Sequence, residues 1–134
     1  DDIMHTIPQG EHGSTYGGSP MAASVAIASL SVVRDEQLTR NAFEMGELFR
    51  NEIAKINNPM LLKVRGKGLL NAVVTRPMEH KTAWDICLAL KENGLLAKPT
   101  HGDIIRFTPP LIITKEQMMD SIAIIRKTLD AFGK

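Results

Sequence analysis

The chain has 134 residues, enough for one ordinary domain and too few for two. Its 16 basic and 15 acidic residues are spread along the sequence and leave a net charge of +1, a balance in which nothing suggests nucleic acid or an anionic membrane as a partner. A hydrophobic content of 43% is globular, no apolar run approaches the roughly 20 residues that span a bilayer, and the single cysteine excludes an internal disulfide and fits a reducing compartment.

Residues 1–19 read as irregular, because Pro8 and the glycines interrupt any periodicity. Ser19-Pro20 then supplies an N-cap and a proline at the first helical position, where a missing N–H does no harm. Residues 21–33 are apolar or small on nearly every side, which predicts a helix buried all round. After the polar break Arg34-Asp35-Glu36, the residues Leu38, Ala42, Met45, Phe49, Ile53 and Ile56 recur at spacings of three and four. They form one apolar face of a second helix, ended by Asn57-Asn58-Pro59.

The period then changes. Residues 61–68 and 69–75 predict two strands meeting around Gly66-Lys67-Gly68. Ala83, Ile86, Cys87 and Leu90 mark a third helix, closed by Gly94 after Asn93. Short strands are expected at 95–98 and 104–107, the second stopped by Pro109-Pro110. Thr114 and Gln117 form a capping-box pair that starts the last helix, whose apolar face is Met118, Ile122, Ile125, Leu129 and Phe132. Helices followed by strands interleaved with helices predict an α/β (α+β) two-layer domain, a small sheet covered by helices.

Chemistry concentrates in two places. Gly10-Glu11-His12-Gly13-Ser14-Thr15-Tyr16-Gly17-Gly18-Ser19-Pro20 brings glycines and two adjacent hydroxyls to a helix start, a combination that suits a phosphate and equally serves a tight turn. Arg106, within Ile104-Ile105-Arg106-Phe107, is a permanent cation in an apolar strand; it calls for a carboxylate or phosphate, either a ligand or a structural ion pair. Arg65-Gly66-Lys67-Gly68 reads as a strand turn that needs glycine, with an anion site as the alternative. His5, His12, His80 and His101 have no metal-ligand spacing, and His12 and His101 read as structural or as neighbours of a site. Cys87 on a helix's apolar face is expected to be an inert buried thiol, and Trp84 and Met118 are core candidates.

The glycine loop followed by an alanine-rich helix resembles class III aminotransferases, fold-type I enzymes that use pyridoxal 5'-phosphate (PLP); Ser19 stands where many relatives have Asn. The resemblance implies that Ser14 and Thr15 bind the cofactor phosphate of the neighbouring subunit, and hence a homodimer. Arg65-Gly66-Lys67-Gly68-Leu69-Leu70 also matches the family. Residues 93–111, with Lys98-Pro99-Thr100-His101-Gly102-Asp103 at their centre, resemble in particular the branch of the family that acts on ornithine. From that likeness, Arg106 is the substrate-binding residue, and ornithine and 2-oxoglutarate, with glutamate as product, are the expected ligands.

No catalytic residue is expected in this chain, since the family's Schiff-base lysine and pyridinium partner precede the glycine loop. Lys98 does not match that lysine's surroundings. The opening at Asp1 without Met suggests the carboxy-terminal part of a larger enzyme, inactive alone. On that basis residues 1–19 are the cofactor-phosphate and interface loop, 20–57 connecting helices and 58–134 the small domain. Mitochondrial matrix and cytoplasm are both compatible with these residues. Acetylornithine or 4-aminobutyrate chemistry, a standalone binding domain and a generic anion-binding module remain as alternatives.

Overall fold

The computed structural model describes residues 2–8, 10–76 and 82–132. The chain divides into two compact units, Asp1–Glu36 and Gln37–Lys134.

The first unit is a loop, with a single 3-10 turn at Met4–Thr6, leading into helix α1 (Pro20–Asp35). The cap works as the sequence predicts. Ser19 is extended, its Oγ accepts from the Ala22 N–H at 3.4 Å, and Pro20 occupies the first turn. The expected burial of 21–33 is not found. No residue of α1 is buried, and Met21 and Leu30 are 79% and 69% exposed. The physical reason is that one helix and a loop contain no second layer, so an apolar helix has nothing within its own unit to pack on.

In the second unit, α2 (Leu38–Ala54), α3 (Ala83–Glu92) and α4 (Lys115–Phe132) pack on a sheet of β1 (Leu61–Lys67), β2 (Leu70–Thr75), β3 (Lys98–Thr100) and β4 (Ile104–Phe107). The strand order is β1-β2-β4-β3 with every neighbour antiparallel. This is the expected two-layer arrangement, with helices on one face of a small sheet. Phe49 and Ile53 of α2 meet Val73, Ile105 and Phe107 of the sheet, while Ile86, Leu90, Met118, Ile122, Ile125 and Leu129 close the core from α3 and α4. The Phe49 and Phe107 rings lie 5.4 Å apart at 47°, a tilted aromatic contact at its centre.

Local chemistry sets the ends of these elements. Thr114 and Gln117 exchange side-chain bonds of 3.2 and 3.0 Å with each other's N–H groups, the predicted capping box. A second box, Thr82 with Asp85, starts α3. At the other end of α3, Gly94 (φ +89°) and Leu95 donate back to Lys91 and Leu90, a complete Schellman closure. That closure ties Leu95 back to the helix, residues 95–97 stay irregular, and β3 begins at Lys98, three residues later than expected. The β1–β2 turn falls at Gly68-Leu69, starting on the last of the expected glycines. Ile56 is buried but lies past the end of α2.

Trp84 is 57% exposed and is not a core residue, whereas Met118 is. In α3 the buried face is Ala83, Ile86, Cys87 and Leu90, and Trp84 sits about 100° round the helix from Ala83. Burial pushes the Cys87 thiol up to about 11 by disfavouring its thiolate. Cys87 is therefore expected to resist iodoacetamide at pH 8 in the folded chain and to react once denaturant is added, read by mass spectrometry. Because the folded thiol titrates above the unfolded one, its contribution to stability is intact below pH 9 and is lost as pH rises toward about 11.

Candidate functional site

In the first unit the glycine run forms an exposed loop in front of α1. Gly10 and Gly18 adopt φ of +92° and +79°, conformations that a side chain would strain. Ser14 Oγ accepts from the Gly17 N–H at 2.9 Å, which closes a tight turn and leaves the hydroxyl proton to donate elsewhere. The Thr15 hydroxyl makes no hydrogen bond among the described residues. No acidic side chain occupies the first turn of α1, so nothing there opposes a negative ligand. Hydroxyl donors, open glycine backbone and a helix start suit a phosphate group, so these residues fit the PLP phosphate.

In the second unit Arg106 lies on the sheet face away from the helices. The alternation along β4 is clear: Ile105 and Phe107 point into the core, and Arg106 is exposed between them. The expected apolar surroundings therefore belong to its neighbours and not to its side chain. Arg106 makes no ion pair among the described residues, so the structural-ion-pair alternative has no partner here. Directly opposite it is Lys98 of β3, and on its other side Ala72 of β2. Ala72 is in turn opposite Arg65 of β1, so Arg65, Ala72, Arg106 and Lys98 make one row across all four strands.

Two cavities adjoin Arg106. One, of about 560 Å³, is lined by Leu95, Lys98, Phe107, Pro109 and Met118 among others. The other, of about 310 Å³, lies on the open sheet face. Arrangements of this kind let a planar guanidinium grip a carboxylate with two parallel hydrogen bonds.

His12 and His101 are exposed, His101 in the left-handed region (φ +53°) of the β3–β4 turn; His80 lies outside the described residues. The neighbour that sequence reading did not find is Lys98 as the partner across from Arg106. The strand expected at 95–98 lies at Lys98–Thr100, and that shift hides the hairpin register that sets Lys98 opposite Arg106. Among the described residues no helix is long and apolar enough to cross a membrane.

Residues 1–129 match the aminotransferase class-III family. Ornithine aminotransferase, mitochondrial, of Drosophila melanogaster is 57% identical over 129 residues, covering 96% of this chain and 30% of the relative. Among solved structures, an ornithine aminotransferase from Plasmodium yoelii superposes with a TM-score of 0.84 at 46% identity, over 98% of this chain and 35% of that one. An acetylornithine aminotransferase from Elizabethkingia anophelis superposes with a TM-score of 0.83 at 54% identity, over 98% and 35%. The chain thus spans about 30% of the length of the curated relative. A match of this extent, in a fold carrying the glycine loop before α1 and an exposed arginine on its sheet, makes the chain a member of the class III aminotransferases, a PLP-dependent family.

Proposed function

We propose that this chain works as part of an ornithine aminotransferase, moving the δ-amino group of ornithine to 2-oxoglutarate and giving glutamate semialdehyde and glutamate. The observation that carries this reading is the identity to ornithine aminotransferases along nearly the whole chain. PLP, when bound, supplies the electron sink that lets a carbon bearing the amino group lose a proton. The work of this chain is positioning. Arg106 holds a substrate carboxylate, fixing the orientation of the molecule with its planar fork. Ser14 and Thr15 donate hydroxyl hydrogen bonds to the cofactor phosphate in the neighbouring subunit of a homodimer. Acetylornithine is the second reading, favoured by the likeness to the Elizabethkingia anophelis enzyme.

The test is a substrate comparison in the full PLP-loaded enzyme that carries this segment. Ornithine is expected to outrun N-acetylornithine and 4-aminobutyrate as amino donor, with 2-oxoglutarate as acceptor. A preference for N-acetylornithine overturns the reading in favour of the second. The phosphate role has its own check. Ser14→Ala with Thr15→Ala is expected to weaken PLP binding by about 10- to 100-fold, from the loss of hydrogen bonds to a charged group. Equilibrium dialysis followed by absorbance reads this directly. In a mixed dimer, the variant subunit should impair the site of its unaltered partner; damage confined to its own site removes the intersubunit assignment.

A further inference from the structure

The open face of the sheet is a basic surface with a trough in it. Lys63, Arg65, Lys67, Lys98 and Arg106 occupy alternate or directly paired positions on that face, and no described strand residue on it is acidic. Arg106 and Lys98 are like charges placed directly opposite each other, an arrangement that destabilises a sheet unless an anion lies across it. Between Arg65 and Arg106 the row narrows to Ala72, whose single methyl leaves room that any longer side chain would fill. The cavity of about 310 Å³ is there, bordered by Arg65, Lys67, Ala72, Thr100, His101 and Arg106. Arg65 and Arg106 stand two strand spacings apart, about 9–10 Å between Cα atoms. That gap accommodates a short molecule with a negative group at each end.

We propose that this trough is a capture site for the dianionic substrate class, a short dicarboxylate, and that Arg65 and Lys67 discriminate for it and against a cationic amino acid before either reaches Arg106. The proposal rests on the reading of Arg106 as the carboxylate-binding residue of the proposed transamination. The two substrates of that reaction carry opposite net charge at neutral pH: 2-oxoglutarate is a dianion and ornithine a monocation. A concave basic surface concentrates the first and repels the second, and it raises anion association by 10- to 1000-fold in comparable clefts, roughly, an effect that salt removes.

The experiment compares the full PLP-loaded enzyme with its Arg65→Gln, Lys67→Gln double variant. Both side chains are exposed at the surface of β1, and Lys67→Gln alone, at the strand's last residue, is the second variant should the double one fold poorly. At low ionic strength the double variant is expected to lose about 5- to 20-fold in kcat/KM for 2-oxoglutarate, through KM and not kcat, while kcat/KM for ornithine rises. The difference should vanish in 0.5 M salt, where the screening length is only about 4 Å. Equal losses for both substrates, or a loss independent of salt, overturn the proposal. A second readout needs no turnover: succinate titrated by calorimetry should bind the unaltered enzyme more tightly than the variant, with strong salt dependence. No difference in succinate binding also overturns it. An enzyme that binds succinate in this way but does not use ornithine keeps the trough and overturns the proposed transamination instead.

Discussion

Arg106→Gln in the full PLP-loaded enzyme is expected to lower kcat/KM for 2-oxoglutarate by about 100- to 1000-fold while leaving the fold as stable as before. Removing one partner of a desolvated, hydrogen-bonded charge pair costs about 2–5 kcal/mol, and this range sits in its middle. Arg106→Lys keeps the charge but loses the planar fork, so its loss should be smaller, about tenfold. Stability should move by no more than about 0.5 kcal/mol, because Arg106 is exposed and has no ion pair among the described residues. Removing a charge that faces Lys98 pushes any small change toward greater stability. Initial rates at varied 2-oxoglutarate, set beside urea unfolding, decide the matter. An activity loss matched by a stability loss above about 1 kcal/mol would make Arg106 a structural residue.

That separation of activity from stability mirrors what the sequence reveals and what it hides. Helix starts are legible because capping is local chemistry. Ser19-Pro20 and Thr114 with Gln117 act as their identities require. Core positions on α2 and α4 are legible because a single face recurs at helical spacing. Burial is less so, since it depends on a second layer. The apolar run in α1 has the composition of a buried helix, yet within its own unit nothing covers it. Trp84 is hydrophobic, but the helical phase set by Ala83, Ile86, Cys87 and Leu90 turns it outward. The start of β3 was displaced because Leu95 is still tied back to Leu90 by the helix closure.

The site divides in the same way. Arg106 and the Ser14-Thr15 pair stand out in the sequence because unusual residues sit within recognisable runs. The basic row does not, because Arg65 joins Arg106 and Lys98 only through the strand order β1-β2-β4-β3, which sets β2 between β1 and β4. A net charge of +1 gives no hint that the charged strand residues of one face are all cationic. Charge segregation between faces is a product of the fold, invisible to any sum over the chain.

The largest stability effect is expected at a residue whose sequence signal is only a glycine in mid-helix. Gly46 lies in α2 and is buried against the β1–β2 turn, where a Cβ built on it would collide with the Gly68 carbonyl. The obstructing atoms are backbone, so no rotamer change relieves the clash. The turn is also held in place: Arg50 donates to the Gly68 carbonyl at 3.0 Å and to Asn71 Oδ1 at 2.6 Å, and Asn71 Nδ2 donates to the same carbonyl at 3.1 Å. In an open helix, Gly→Ala gains about 1 kcal/mol from propensity. Here helix and hairpin must separate, and overpacking of this kind outweighs that gain, for a net loss of about 3 kcal/mol. Gly46→Ala should therefore lower Tm by on the order of 15 °C for a unit of this size. Asn51→Ala, at an exposed position of the same helix with no side-chain bond among the described residues, is the control and should be neutral or slightly stabilising. A Gly46→Ala loss under about 1 kcal/mol would mean that α2 and the turn tolerate a methyl between them, and that this close approach does not fix the hairpin.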